Sequence, residues 1–115
     1  MPRNWLTPFA ALSAALAIAA GAFAAHGASA AQANLLRVGA QYQLIHAIAV
    51  FAMAARPRGH GPSIMLLSGA NVFALSLYAL ACGAPRWVGI ITPFGGVLMI
   101  LGWLWVGVEE VRHRA

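Results

Sequence analysis

Four long apolar runs, separated by short connections that hold almost all of the charge, constrain this chain more than any other feature. The runs lie at about residues 5–25, 35–55, 63–83 and 87–108. A helix needs about 20 mostly apolar residues to cross the hydrocarbon of a bilayer, and each run supplies them. Together they consume most of the 115 residues and leave no stretch able to form a separate soluble core. Only 8% of the residues are charged, against about 25% in an ordinary soluble protein. A transmembrane barrel would show apolar and polar residues alternating over strands of about 10 residues. These runs are continuous and rich in Ala and Leu, the pattern of helices. The expected fold is all-α, an integral membrane four-helix bundle forming a single domain over residues 1–115.

The net charge of +5 does not point to nucleic acid. The basic residues are all Arg, placed singly or in pairs at the ends of the runs, with no basic stripe and no aromatics set to stack on bases. Cys82 is the single cysteine, so no disulfide can form within the chain.

In the first run Ser13, Ala17, Gly21 and Ala25 recur every four residues and put small side chains on one helix face, where a neighbour can approach closely. This run also mimics a signal peptide, with Arg3 before it and Ala28-Ser29-Ala30 after it. Its apolar stretch exceeds the usual ~7–15 residues of a signal peptide, so a retained helix is expected. The segment 27–34 reads as a small-residue connection. The second run has a polar front half with Arg37, Gln41, Tyr42, Gln43 and His46, and an apolar back half. Pro57, Gly59, Gly61 and Pro62 break the chain before the third run, which contains Ser68, Asn71, Ser76 and Tyr78. In the fourth run Pro93 removes a backbone donor and crowds the carbonyl four residues earlier, which predicts a kink.

Charge placement gives a topology. With four spans, both termini and the middle connection share one side of the membrane. Arg3, Arg56, Arg58, Arg112 and Arg114 fall on that side; only Arg37 and Arg86 fall on the other. Positive charge in short loops marks the cytoplasmic face, so both termini are expected there. Trp5, Trp103 and Trp105 then sit near the cytoplasmic ends and Tyr42, Tyr78 and Trp87 near the outer ends, as an interfacial aromatic belt.

The same topology gathers polar residues in the outer half: His26, Gln41, Gln43, His46, Ser76, Tyr78 and Thr92, with the Pro93 break beside them, Asn71 near the midplane and Arg37 at the mouth. Three readings of this cluster are open. The favoured one is an interhelical hydrogen-bond network that fixes the bundle, because buried polar groups must be paired. The second is a small outward-facing cavity for a lipid headgroup, quinone or other small molecule, with His26 and His46 inside, since intramembrane polar residues are candidates for function. The third is a metal site of His26, His46 and Cys82, which lacks any paired ligand spacing, so no metal or other cofactor is assigned. Catalysis has little to stand on. The chain has no Asp, and its only acidic side chains, Glu109 and Glu110, lie at the cytoplasmic end. Acid–base work would fall to histidine alone, and no internal repeat suggests a transporter.

Several of these residues stand in recognisable strings. Gly21-Ala22-Phe23-Ala24-Ala25-His26-Gly27 resembles a GAFGAHG-type motif, with Ala24 in place of a glycine. Gln41 to Ala47 resembles a YQxxHA element, Ser76-Leu77-Tyr78 an SLY element, and Thr92 to Gly96 a TPxGG element followed by Gly102-Trp103. In order and nearly full length, these resemble the domain of unknown function 423 family of bacterial inner-membrane proteins, whose mitochondrial relatives are named transmembrane protein 256. The resemblance implies a four-helix inner-membrane protein of uncharacterised activity and no catalytic residue. From the small size, the scarcity of acids and the apolar outer surface, the function expected is non-enzymatic: an accessory or assembly subunit of a larger membrane complex, or a homo-oligomer, in contact with membrane lipids. The alternative is a binder or carrier of a small lipid-soluble ligand or ion in the outer-half cavity.

Overall fold

In a computed structural model, residues 5–114 are described; Arg3, counted above toward the basic side, lies outside the described residues. Four helices follow one another: α1 (Leu6–His26), α2 (Ala30–Ala54), α3 (His60–Ala81) and α4 (Ile91–Arg114), the last entered through a 3-10 turn over Arg86–Ile90. Each is long and apolar enough to cross a membrane, with a mean hydropathy of 1.2 to 1.8 over its most apolar stretch. No strand occurs among the described residues.

The helix ends follow from local chemistry. Ser29 and Gln32 form a capping box: the Ser29 hydroxyl accepts from the Gln32 backbone N–H, and the Gln32 side chain accepts from the Ser29 N–H. This box starts α2 at Ala30, inside the segment 27–34 that the sequence assigns to a connection. Small residues there read as a loop, yet Ala is the best helix former and Ser29 is a strong start signal. At the same end of the molecule, α3 closes with Gly83 in the left-handed region (φ 96°). The Gly83 N–H donates to Leu80 and the Ala84 N–H to Ala79, the paired bonds that glycine-terminated helices use to satisfy their last carbonyls.

The expected kink at Pro93 is absent as such. Pro93 lies in the first turn of α4, where a missing N–H leaves no hydrogen bond unmade. The irregularity falls just before it, in the 3-10 turn, so proline starts this helix instead of bending it.

The helices pack in chain order, each along the next, with α1 touching α3 lightly. α1 and α4 do not pack along each other, so the set is a bundle with one side left open. Two kinds of contact hold it. Between α1 and α2, Ala10, Ala17 and Ala24 face Ala33, Ala40, Ala47 and Ala54, all buried and spaced seven residues apart on each helix. The four-residue stripe read from the sequence drifts off this seam: Ser13 and Ala17 are buried, but Ala25 is exposed and Ala24 takes its place. Between α3 and α4 the backbones themselves meet. A Cβ on Gly69 would lie 2.9 Å from the Gly95 carbonyl oxygen, and one on Gly95 would lie 2.4 Å from the Phe73 nitrogen. Such close approach is how membrane helices gain van der Waals contact without a hydrophobic driving force between them.

Gln32 ties two elements at once. While its oxygen caps α2, its Nε2 donates to the Ala81 carbonyl at the end of α3, 2.9 Å away. Gln32→Ala should therefore lower stability by about 1–2 kcal/mol, the worth of a lost cap plus one carbonyl left bare. Thermal unfolding in mild detergent, compared with Gln32→Glu, checks it: Glu keeps the cap acceptor but loses the bond to Ala81, so an equal loss in both variants would assign the effect to α3 alone.

Candidate functional site

The polar side chains inside the helices form three hydrogen-bonded groups. The largest crosses three helices. The Tyr78 hydroxyl donates to Gln43 Oε1 (2.7 Å), and Gln43 Nε2 donates to Asn71 Oδ1 (3.0 Å). Asn71 Nδ2 donates both to Ser13 Oγ (3.0 Å) and to the Leu67 carbonyl (2.9 Å). Ser13 Oγ returns a long bond of 3.4 Å to Asn71 Oδ1. Gln43 is fully buried, with no exposed surface, and its neighbour Gly39 leaves room for the Tyr78 ring, which a Cβ there would meet at 2.7 Å.

The second group joins α2 to α4. His46 Nδ1 lies 2.7 Å from the Tyr42 carbonyl oxygen and Nε2 lies 3.0 Å from the indole nitrogen of Trp103. A carbonyl can only accept and an indole N–H can only donate, so the ring carries its proton on Nδ1. Both ring nitrogens are engaged. Tyr42 packs edge-on against Phe73 and alongside His46, and His46 meets Trp103 edge-on, which encloses the imidazole in aromatic surface. The third group joins α3 to α4: Ser76 Oγ donates to the Phe73 carbonyl (2.8 Å), so the Thr92 hydroxyl at 2.6 Å donates to Ser76.

Of the residues singled out from the sequence, the structure thus brings Gln43, Asn71 and Tyr78 into one group, His46 into a second, and Ser76 with Thr92 into a third. It leaves His26, Arg37, Gln41 and Pro93 on the exposed surface, the first three without a polar partner among the described residues. Arg37 and Gln41 lie one turn apart on the outward face of α2. Two participants escape the sequence reading. Ser13 counts there only as a small packing residue, and Trp103 is placed in the interfacial belt, whereas it sits near the middle of α4 and bonds His46. For Trp103 the physical reason is the length of α4, which runs on to Arg114 beyond the expected end near residue 108. An indole N–H at hydrocarbon depth needs an acceptor whether or not the ring is covered by protein, and that requirement was the available signal for Trp103.

The three groups are largely self-satisfied. Among the described residues no three of His, Cys, Asp and Glu come together as a metal-ligand set, and Cys82 is exposed. Among the described residues two cavities stand out beside the helices, and neither is lined by His26, Arg37, His46, Tyr78 or Thr92. One, of about 380 Å³, lies between α1 and α3. The other, of about 220 Å³, lies where the α2–α3 connection meets the end of α4, beside Arg58 and His113. Ion pairs of Arg56 with Glu110 and of Arg112 with Glu109 (3.8 Å) knit this second end, and Glu109 also hydrogen-bonds His113 (2.9 Å). Trp5 packs on His60 there, so the start of α1, the middle connection and the end of α4 share one end of the molecule. Ser63 Oγ and His60 Nδ1, on the first turn of α3, are buried without a hydrogen-bond partner among the described residues.

The model of the family described as a protein of unknown function (DUF423) matches residues 20–96, the stretch that holds Gln43, His46, Asn71, Ser76, Tyr78 and Thr92. The chain belongs to this family. DUF423 relatives extend the match to full length. A UPF0382 membrane protein of Haemophilus influenzae is 39% identical, covering 100% of this chain and 99% of its own. The UPF0382 inner membrane protein YgdD of Escherichia coli K12 is 31% identical over 99% of this chain and 95% of its own. The UPF0382 membrane protein YwdK of Bacillus subtilis is 32% identical over 90% and 93%. No solved structure matches this DUF423 chain. The relatives' names place them in membranes and assign no activity.

Proposed function

We propose that this chain is a non-enzymatic accessory or assembly subunit of a larger complex in the bacterial inner membrane, oriented with both termini in the cytoplasm. The observation that carries the reading is the open side of the bundle. α1 and α4 do not close on each other, and both present large apolar side chains outward, among them Leu12, Phe94, Ile100 and Leu104. Gln43, His46, Asn71, Ser76 and Tyr78 turn inward and bond mainly within the bundle, while Arg37, Gln41 and Ser68 face outward, which suits a unit whose outer surface meets both lipid and neighbouring helices. No acid, base or nucleophile of the three groups lines either cavity except Ser13 and Asn71, which are bonded to each other. The end that bears Arg56, Arg58 and Arg112 is the basic end, and the positive-inside rule assigns it to the cytoplasm.

The test uses the protein at its native expression level. In membranes solubilised with a mild detergent and separated under native conditions, most of the chain should migrate far above the mobility of its 12.0 kDa mass, in a band of fixed composition. Migration as a single unaccompanied copy would overturn the reading. In a Cys82→Ser background, which removes the exposed native thiol, a cysteine introduced at position 56 (Arg56→Cys) should escape a membrane-impermeant thiol reagent added outside intact cells; labelling would reverse the orientation.

A further inference from the structure

The cavity between α1 and α3 has a composition that a simple lipid-filled groove does not require. Phe9, Leu12 and Leu75 form part of its walls, while Ser13, Ser68 and Asn71 place polar atoms along it. Its volume of about 380 Å³ falls within the usual range of small-molecule sites. The wall side chains are exposed on the outer surface of the bundle, so the groove is reached sideways from the bilayer. Ser13 and Asn71 put it near mid-depth in their helices.

Counting hydrogen bonds defines what fits. Both N–H groups of Asn71 are spent, on Ser13 Oγ and the Leu67 carbonyl, and its oxygen already accepts from Gln43. Asn71 therefore frames the site and offers little to a ligand. The hydroxyl protons remain. Ser13 holds its proton on Asn71 Oδ1 at 3.4 Å, the longest bond of its group, and can turn it to a better acceptor. Ser68 is exposed and makes no side-chain hydrogen bond among the described residues. No charged side chain lines the groove, so an ion there would lose its hydration without a counter-charge. Two hydroxyl donors in an uncharged apolar slot ask for a neutral molecule that brings hydrogen-bond acceptors and reaches the site through lipid.

We propose that the α1–α3 groove binds the head group of an uncharged, membrane-soluble carbonyl compound of the quinone class, with Ser68 and Ser13 donating to its carbonyl oxygens and Phe9 against its ring. This site adjoins the Tyr78–Gln43–Asn71 group, sharing Ser13 and Asn71 with it, and does not depend on the subunit role proposed above.

The chain in lipid nanodiscs, titrated with decyl-benzoquinone and followed by quenching of tryptophan fluorescence, tests it. Trp5 packs on Phe9 with ring centroids 5.8 Å apart and reports from the edge of the groove. Saturable quenching is expected. Ser68→Ala should weaken binding about five- to tenfold, the worth of one hydrogen bond, with unchanged thermal stability because the side chain is exposed. Leu12→Trp, read by equilibrium partitioning of the quinone so that the added indole does not interfere, should fill the slot and abolish saturable binding. Quenching that rises linearly without saturation overturns the proposal, as does wild-type affinity in both variants. Equal binding of a decyl chain bearing no carbonyl also overturns it, since the groove would then be an acyl-chain slot only.

Discussion

Gly95→Ala should destabilise the folded chain by about 2–3 kcal/mol or more, while the same change one residue later, Gly96→Ala, should be neutral or stabilise it by up to about 1 kcal/mol. The two glycines are neighbours in the first turns of α4, and their helix propensities are equal. They differ in what a methyl group would meet. At Gly95 it would lie 2.4 Å from the Phe73 nitrogen and 2.7 Å from the Gly69 carbonyl oxygen, both backbone atoms of a packed helix that no rotamer change can move. At Gly96 nothing stands within 4 Å, so only the gain in helix propensity remains. Thermal unfolding of both variants in the same detergent measures the contrast. Equal melting temperatures would mean that α3 and α4 do not meet at this crossing. Because Ser76 with Thr92 and His46 with Trp103 both span helices onto α4, a displaced α4 should also shift the Trp103 emission in Gly95→Ala.

Asn71→Leu should lower stability by about 2–3 kcal/mol. Its amide is the hub between Ser13 and Gln43, and its loss strands the amide nitrogen of a fully buried glutamine. A bond between membrane helices averages only about 0.6 kcal/mol, but an unpaired buried group carries its own penalty of about 1–3 kcal/mol. The penalty dominates here, and that has a distinctive consequence. The double change Gln43→Leu with Asn71→Leu should be less destabilising than the sum of the two single changes, because two apolar side chains leave less to satisfy. Strict additivity in this cycle would show that the two amides do not interact. Tyr78→Phe strands the other end of the same glutamine, Oε1, which has no other donor among the described residues, and should cost about 1–2 kcal/mol, less than Asn71→Leu because the bond to Ser13 survives.

The four helices were legible because hydropathy and length are properties of single segments. So were the sharp breaks at Pro57 and Gly59. Partnership was harder to read. His46 and Trp103 are 57 residues apart, and nothing local to either indicates the other. The sequence also misplaces the start of α2, because Ala-rich stretches with one serine look alike in loops and helices; only the reciprocal Ser29–Gln32 bonds distinguish them. That offset set the polar residues of α2 at the wrong depth, while an end of the fourth run at about residue 108, short of Arg114, drew Trp103 toward the interface. Arg37 and Gln41 illustrate the opposite error. Polarity within an apolar run suggests a shared site, yet the helical period turns Gln43 inward and leaves these two facing out. Seven-residue spacing of alanines on both α1 and α2 was present in the sequence, but a four-residue stripe on α1 alone obscured it.

That alanine seam has teeth of one size. Two such surfaces fit each other nearly as well after one helix slides by a full repeat, about 10 Å along its axis, so the alanines alone do not fix which tooth meets which. The link from Gly27 to Ser29 supplies the stop: three residues reach at most about 10 Å even when pulled straight, and here they are already folded into a turn. The brevity of that link, together with the larger residues Leu6, Leu36 and Val50 packed beside the alanines, holds the hairpin to one alignment.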